Sequence, residues 1–185
     1  MDADERLYIR VQAGDREAMA EIVDRYQRPL LQFLYRMTSL EQTAEDLTQE
    51  TFLRMLVYTG HPPERFRSWA YTIACNLARD NFRRAANRLE VTDPMDEGLA
   101  DHVIESAETT AVRLAEAQSA ANTVLSLPLP LREVLVLRFY HELRLEEISE
   151  ITGRPVGTVK SRLYRSLRCL KEQLSQEEST CENNQ

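Results

Sequence analysis

The chain has 185 residues, of which 43% are hydrophobic and 29% are charged, and its formal net charge is −7. No apolar run approaches the ~18 residues that span a bilayer, and the start MDADER is too charged for a secretory leader. We therefore expect a cytoplasmic protein without membrane insertion. The three cysteines and three histidines lack the spacing of metal ligands, so we expect reduced thiols, no metal site and no cofactor.

The negative charge is concentrated in one segment. Residues 1–88 contain 13 acids and 13 bases, and residues 113–185 contain 10 of each. Residues 89–112 contain seven acids and no base, together with Pro94 and Gly98. A segment of this composition is typical of a linker.

The fold class follows from the pattern of apolar residues. Aromatic and β-branched residues form no alternating runs, so the sequence predicts an all-α chain without strands. We expect two small helical domains, over residues 1–88 and 113–174, joined by the acidic linker 89–112. The second domain is a helix-turn-helix, and we expect a disordered polar tail over residues 175–185.

Local signals predict where the first helices begin and end. Asp15 suits the N-cap of a helix that runs through Tyr26, and Pro29 is expected to bend or restart it. Ser39 with Gln42 three residues later predicts a capping box for the next helix.

The segment Ala44–Leu56 has two distinguishable sides as a helix. The inward side carries Ala44, Leu47, Thr51, Phe52 and Met55. The outward side carries Asp46, Gln49, Glu50 and Leu53. An apolar residue within an acidic and amide surface fits a partner-binding face, but scattered exposed apolar residues are also common and need no explanation.

The segment WAYTIACNLARDNFRRAANR is predicted to be a helix capped by Ser68, with an apolar start and a basic end. Trp69, Ile73 and Leu77 follow one another at core spacing. The basic half carries Arg79, Arg83, Arg84 and Arg88, interleaved with Tyr71, Asn76, Asn81 and Phe82. Aromatic rings between cationic side chains suit a nucleic-acid strand, because the bases can stack on the rings and the cations can neutralise the phosphates. Equally, arginines at the end of a solvated helix favour the negative end of its dipole.

The stretch from Leu145 to Leu170 has the layout of a helix-turn-helix. A short first helix has Leu145 and Ile148 on its buried side, Gly153 suits its end, and Pro155 suits the first turn of the next helix. The second helix gathers its apolar residues on one side: Val156, Val159, Leu163, Leu167 and Leu170.

The opposite side of that second helix carries small and cationic residues: Gly157, Thr158, Ser161, Tyr164, Arg165 and Arg168. No acid occurs between positions 154 and 171. A solvated face normally mixes charges, so this pattern favours a helix that enters the major groove of DNA. A basic amphipathic helix for membranes is a weaker alternative, because the apolar stripe contains no Trp or Phe.

Four segments resemble the extracytoplasmic-function (ECF) group of bacterial sigma factors, within the sigma-70 family: AEDLTQETFLRML, FRSWAYTIACNLARDNFRR, LPLPLREVLVLRF and LEEISEITGRPVGTVKSRLYRSLRCL. The resemblance covers the chain from about Gly14 to Leu174. It implies a sigma-2 domain followed by a sigma-4 domain, in a subunit that directs core RNA polymerase to promoters. It implies no enzyme activity and no small-molecule substrate. An anti-sigma factor is a further candidate partner, since family members are often held by one.

The resemblance assigns a role to each surface. Contact with the β′ clamp helices of the polymerase is implied for Asp46, Gln49, Glu50 and Leu53, and contact with the β flap for the second domain. Contact with the −10 element is implied for Trp69, Asn76, Arg79, Arg83 and Arg84, with Asn76 at the pocket of a flipped base; Trp69 also suits the core. Reading of the −35 element is implied for Gly157, Thr158, Lys160, Ser161, Tyr164, Arg165 and Arg168.

Two other classes of protein compete with this interpretation. An ordinary helix-turn-helix repressor or activator would need a dimer interface, and the sequence contains no heptad repeat. A nucleic-acid enzyme would need a metal cluster, a phosphate loop or an activated nucleophile, and the sequence shows none of these. One departure from the family pattern is Ser149, where alanine is usual; we expect its hydroxyl to bond back to a helix carbonyl.

Overall fold

The computed structural model describes residues 3–91 and 123–182, with side chains described over 3–87 and 123–173. Every regular element in these ranges is helical, which confirms the predicted all-α class. Most of the predicted linker, residues 92–112, lies outside the described residues. We number the helices α1 (Ala3–Gln12), α2 (Arg16–Thr38), α3 (Glu41–Val57), α4 (Phe66–Val91), α5 (Leu129–Phe139), α6 (Leu145–Thr152) and α7 (Val156–Glu182).

Helices α1 to α4 pack around one apolar core. The core includes the fully buried side chains of Ile22, Leu30, Phe33 and Met55. Tyr8 is buried among them and donates its hydroxyl to the backbone oxygen of Met55 at 2.6 Å. This bond supplies a hydrogen-bond partner to a hydroxyl that is shielded from water. Burial raises the pKa of Tyr8 to about 12, and the charge interaction with the nearby Tyr58 adds to the rise.

The start of α2 is as predicted, but its end is not. The Asp15 carboxylate accepts the backbone N–H groups of Glu17 and Ala18 at 3.0 and 3.1 Å, as an N-cap does. The helix runs through Pro29 without restarting. Ser39, at φ 61°, then closes α2 by donating its N–H to the Tyr35 carbonyl. The predicted capping box of Ser39 is therefore wrong: Leu40 takes the N-cap position of α3 without a side-chain bond.

Helix α4 begins at Phe66, three residues before the predicted start. Ser68 lies inside the helix and is not its cap; its carbonyl accepts the hydroxyl of Thr72. The cap comes from another helix, because the Glu5 carboxylate of α1 accepts the backbone N–H of Phe66 at 3.0 Å. The helix continues to Val91, beyond the domain boundary expected at residue 88.

Helices α5 to α7 form the second group, in which α6 and α7 make the predicted helix-turn-helix. Gly153 ends α6 at φ 64°, a left-handed conformation that glycine adopts without strain. Helix α7 does not end near residue 174 but continues to Glu182. The expected disordered tail is therefore helical as far as residue 182, since its polar run contains no Gly or Pro to stop the helix.

Two side chains of the second group depart from the predicted pattern. Leu167 was expected on the buried side of α7 but is 45% exposed. Ser166 is fully buried in its place and donates its hydroxyl to the Leu131 carbonyl at 2.9 Å. The hydroxyl of Ser149 does not bond back along its own helix; it donates forward to the Arg154 carbonyl at 2.6 Å, across the turn before α7.

The two groups of helices pack on each other, with α4 against α6 and α2 against α5. Small residues on α4 allow the close approach: Ala70, Ala74 and Ala78 are fully buried. Arg132 of α5 donates to the Met37 carbonyl at the end of α2, at 2.6 Å. This bond satisfies a helix-end carbonyl that has no partner within its own helix.

Candidate nucleic-acid interface

The outward side of α3 is at the surface, as the sequence predicted. Asp46, Gln49 and Leu53 are exposed, and Glu50 is half-exposed and pairs with Arg54 at 3.0 Å. The apolar part is larger than the sequence indicated. Leu56 and Val57 extend it, and Leu53 and Val57 are 55% and 71% exposed. Their spacing of three and four residues from Leu53 was the signal that could have identified them.

The predicted residues on α4 do not share one environment. Trp69 is half-buried and its ring lies 5.0 Å from those of Tyr8 and Tyr58, measured between centroids. This contact places Trp69 on the core of the first helical group. Asn76 is exposed and accepts the Arg79 guanidinium at 3.0 Å.

The basic end of α4 is open to solvent except at Arg79. Arg83 and Arg84 are exposed, and Arg83 lies 3.5 Å from Asp80. Arg79 instead forms an ion pair with Glu133 of α5 at 2.7 Å, with side chains 29% and 3% exposed. Burial, the largest single influence, lowers the pKa of Arg79, but the charge and hydrogen bonding of Glu133 together with the nearby Cys75 and Asp80 raise that pKa overall. The side chain of Arg88 lies outside the described residues.

The outward side of α7 forms an open surface near the start of that helix. Lys160, Ser161, Arg165 and Arg168 are exposed, Thr158 is half-exposed, and Tyr164 is 71% exposed. A Cβ added at Gly157 would meet no atom within 4 Å. Since nothing covers these side chains in the described part of the chain, they are accessible to a macromolecule. The hydrogen bond from Ser149 to the Arg154 carbonyl stabilises the turn between α6 and α7, and this turn determines the angle between the two helices.

An apolar groove of about 270 Å³ lies between α5 and α7, a feature that the sequence pattern did not indicate. Exposed Phe139, Tyr140 and Leu167 contribute to its walls, together with Val124, Leu135 and Leu170. Phe139 and Tyr140 lie at the C-terminal end of α5. Helical periodicity no longer predicts the direction of a side chain at that position. An apolar groove of this kind suits an apolar segment of a partner protein.

Two classes of site are absent from the described residues. Over residues 3–91 and 123–182, no helix is long and apolar enough to cross a membrane. In the same ranges, no cluster of His, Cys, Asp or Glu could hold a metal ion. The described residues offer exposed surfaces on α3, α4 and α7 and an apolar groove between α5 and α7.

Comparison with known proteins identifies the family of the chain. A Sigma-70 region 2 profile matches residues 22–88, and a Sigma-70 region 4 profile matches residues 118–170. The chain is 37% identical over 175 residues to the ECF RNA polymerase sigma factor SigW of Bacillus subtilis, covering 89% of this chain and 92% of that protein. The chain belongs to the ECF group of the sigma-70 family.

Further relatives agree with this assignment. The RNA polymerase sigma-H factor of Pseudomonas aeruginosa is 32% identical over 174 residues, covering 89% of this chain and 90% of that protein. The fold is similar to CnrH, solved in complex with the cytosolic domain of CnrY, with a TM-score of 0.69 and 24% identity over 94% of this chain and 98% of that one. It is also similar to the sigma factor RpoE of Bartonella quintana, solved with the anti-sigma factor NepR (TM-score 0.69, 22% identity, 84% and 96% covered).

Family membership establishes the general function. This ECF sigma factor binds core RNA polymerase and promoter DNA and directs the initiation of transcription. A repressor or activator that acts apart from the polymerase is not favoured. Sigma factors as a class are not enzymes.

Proposed function

We propose that this sigma factor uses four surfaces: α3 docks on the polymerase clamp, α4 holds the −10 strand, α7 reads the −35 duplex, and the apolar groove between α5 and α7 binds the β flap. The proposal places the domains at residues 1–88 and 113–174, joined by the acidic segment. The chain catalyses no reaction itself and acts in the cytoplasm, where it meets the polymerase and the promoter.

The chemistry of α3 supports docking on the β′ clamp helices. Its exposed side combines the acids Asp46 and Glu50 with the apolar Leu53 and Val57. Acids steer a partner with a basic surface, and a buried apolar centre supplies affinity once water is excluded. This combination on one open helix side is the observation that carries the docking proposal.

The basic end of α4 supports contact with the −10 strand. Exposed Asn76 offers an amide to a flipped base, and Arg83 and Arg84 offer charge to the strand backbone. Arg79 belongs to the same proposal, although here it is paired with Glu133. Trp69 contributes by fixing α4 on the core, because its ring packs against Tyr8 and Tyr58.

The open surface of α7 supports reading of the −35 element. Gly157, Thr158 and Ser161 allow the helix start to approach a groove closely. Arg165 lies further along the same side, where a guanidinium can bind a guanine edge with two hydrogen bonds. Lys160, Tyr164 and Arg168 border this side and suit contacts with phosphates.

The apolar groove between α5 and α7 is the surface that we propose for the β flap. Its exposed Phe139, Tyr140 and Leu167 suit an apolar segment of the polymerase. An anti-sigma factor would block the polymerase by covering either this groove or the exposed side of α3.

Reconstitution with core RNA polymerase tests the proposed function. Purified chain is mixed with core enzyme, the complex is isolated by size-exclusion chromatography, and run-off transcription is measured. The template is a promoter found by sequencing transcript 5′ ends after overexpression. We expect stable co-elution and transcription that depends on the chain. Tight, sequence-specific DNA binding by the chain alone, without co-elution, would favour an ordinary regulator.

A further inference from the structure

A cavity of about 290 Å³ lies where α2, α4 and the loop between α5 and α6 meet. Arg28 of α2 and Arg67 of α4 line it, together with His141 and Glu142 of the loop. None of these four residues belongs to a surface assigned above to the polymerase or to the promoter. Ligand sites are often concave places between structural units, and a cavity of this volume suits a small molecule.

The guanidinium groups around this cavity are not neutralised by acids. Arg28 and Arg67 are exposed on its walls, and the Arg36 guanidinium lies beside it, 4.2 Å from the ring centroid of Tyr140. Within residues 3–87 and 123–173, none of these three arginines forms an ion pair. Glu142 is the one acid among the described lining residues. Three positive charges against one negative charge leave an excess that matches a dianion.

The histidine of this cavity lies in the same positive environment. His141 is 7% exposed, and its Nδ1 lies 2.8 Å from the Tyr71 hydroxyl. Its Nε2 has no hydrogen-bond partner among the described residues. Burial, followed by the charges of Arg36 and Arg67, lowers the pKa of His141 to about 4. The charges that disfavour a proton on this ring favour an anion beside it.

These groups have the chemistry that binds a phosphate. Guanidinium groups bind phosphate oxygens through paired, charge-assisted hydrogen bonds. Two of the three arginines are already oriented: Arg67 donates to the His141 carbonyl at 2.6 Å, and Arg36 donates to the Gln32 carbonyl at 3.2 Å. Side chains that are held in place before binding lose less conformational entropy when a ligand arrives. Arg28 is exposed and can turn toward the ligand.

We propose that this cavity binds a small phosphate-bearing molecule, with Arg28 and Arg67 on the phosphate group. The ligand contacts α2, α4 and the loop between α5 and α6 at once, so it links the two helical groups. A nucleic-acid backbone needs cations spread along its length, whereas these cations surround one cavity. Because the ligand binds the folded chain, it should also raise the stability of the chain.

Isothermal titration calorimetry of the full chain tests this site. The probes are inorganic pyrophosphate and adenosine 5′-monophosphate, and adenosine is the control without a phosphate. We expect saturable binding of at least one phosphate-bearing probe and no binding of adenosine. The tighter of the two probes tells whether the phosphate is inorganic or part of a nucleotide. The proposal is overturned if neither phosphate-bearing probe binds, or if adenosine binds as tightly as the nucleotide.

Arg28→Gln tests the contact with the phosphate. We expect it to weaken binding of the phosphate-bearing probe by about 10-fold or more, the effect of losing a hydrogen bond between charged groups. Arg28 is preferred to Arg67 because Arg67 also holds the loop through the His141 carbonyl. Arg16→Gln is the matched control, since it removes the same charge from another exposed position of α2. Its affinity should change by less than about 2-fold. Equal weakening by both variants would leave only net charge as the cause and would overturn the proposal.

Two further measurements locate the bound probe. The NMR signals of the His141 ring, identified by their loss in His141→Gln, should shift during the titration, whereas those of exposed His61 should not. Binding without a shift at His141 would place the ligand elsewhere and overturn the proposal. In urea, the saturating probe should raise the unfolding midpoint of wild type but not that of Arg28→Gln. If circular dichroism shows Arg28→Gln to be unfolded, Arg28→Lys replaces it and should bind with intermediate affinity, because lysine keeps the charge without the paired donors.

A single strand of DNA is the other source of phosphate groups. The affinity for a fluorescein-labelled oligo(dT) of about 12 nucleotides, a length that spans one single-strand site, is measured by fluorescence anisotropy. We expect Arg28→Gln and Arg16→Gln to bind it alike. A loss confined to Arg28→Gln, in a chain that binds neither small probe, would assign these cations to a nucleic-acid backbone and overturn the proposal.

Discussion

The hydroxyl of Tyr71 on α4 lies 2.8 Å from Nδ1 of His141, in the loop between α5 and α6. His141 is buried, and its Nε2 has no hydrogen-bond partner. Burial, followed by the charges of Arg36 from α2 and Arg67 from α4, lowers the pKa of His141 to about 4. Arg28 and Glu142 line the same cavity. The interface between the two helical groups is therefore built around a neutral histidine.

Acidification should weaken the fold through His141. Its pKa is lower in the folded chain than the ordinary 6.5. As the pH falls, His141 is therefore protonated in the unfolded chain at a higher pH than in the folded chain. The stabilisation is present above about pH 6.5 and is lost as the pH falls toward about 4. Between pH 7 and pH 5 we expect wild type to lose about 1 to 2 kcal/mol more unfolding free energy than His141→Gln, which cannot be protonated.

Urea denaturation at a series of pH values measures this loss. Carboxylates titrate in the same range, so the quantity of interest is the difference between the wild-type and His141→Gln curves. The exposed His61 provides the control, because His61→Gln should leave the pH profile as in wild type. Parallel profiles for wild type and His141→Gln would show that His141 does not link the interface to pH.

The bond from Phe66 to Glu5 should be important for stability. The Glu5 carboxylate accepts the first backbone N–H of α4 in a buried setting. Glu5→Ala leaves that N–H without a partner, so we expect a loss of about 1 to 3 kcal/mol in the free energy of unfolding, measured in urea. Glu17→Ala, an exposed acid on α2, should cost less than about 0.5 kcal/mol. Similar losses in both variants would refute the capping role of Glu5.

Charge reversal on α3 should abolish docking on the polymerase without unfolding the chain. Asp46→Arg with Glu50→Arg would place cations opposite the basic polymerase surface that we propose for α3, which costs several kcal/mol at close range. Helix content should be unchanged, because neither side chain belongs to the core. Core polymerase pull-down measures the effect.

A second double reversal controls for net charge. Glu17→Arg with Asp24→Arg changes the charge equally on α2, where both residues are exposed. This variant should still bind the polymerase. If the α3 variant also binds normally, the exposed side of α3 is merely solvated.

The sequence predicted the features whose causes are local. The N-cap of Asp15 and the glycine turn at Gly153 depend on residues within one helical turn, so a pattern reveals them. The outward sides of α3 and α7 follow from helical periodicity alone. The family resemblance then assigned those sides to partners.

The sequence could not predict features that depend on contacts between distant helices. The cap of α4 comes from Glu5, which lies 61 positions earlier in the chain. Arg79 has a partner, Glu133, on a helix beyond the acidic segment. Leu167 turned out to be exposed because the groove beside Phe139 leaves it uncovered, and periodicity does not indicate where a neighbouring helix stops.

The most direct test of the account is transcription by reconstituted holoenzyme over a panel of −35 substitutions. Arg165 lies on the open side of α7, where we expect its guanidinium to reach base edges, whereas Lys171 lies further along, where we expect only phosphates in range. Arg165→Ala should lower transcription and flatten the preference among −35 variants by ~1–3 kcal/mol. Lys171→Ala should weaken all variants alike and modestly. Equal, sequence-blind losses for both variants would contradict the assignment of α7 as the −35 reader.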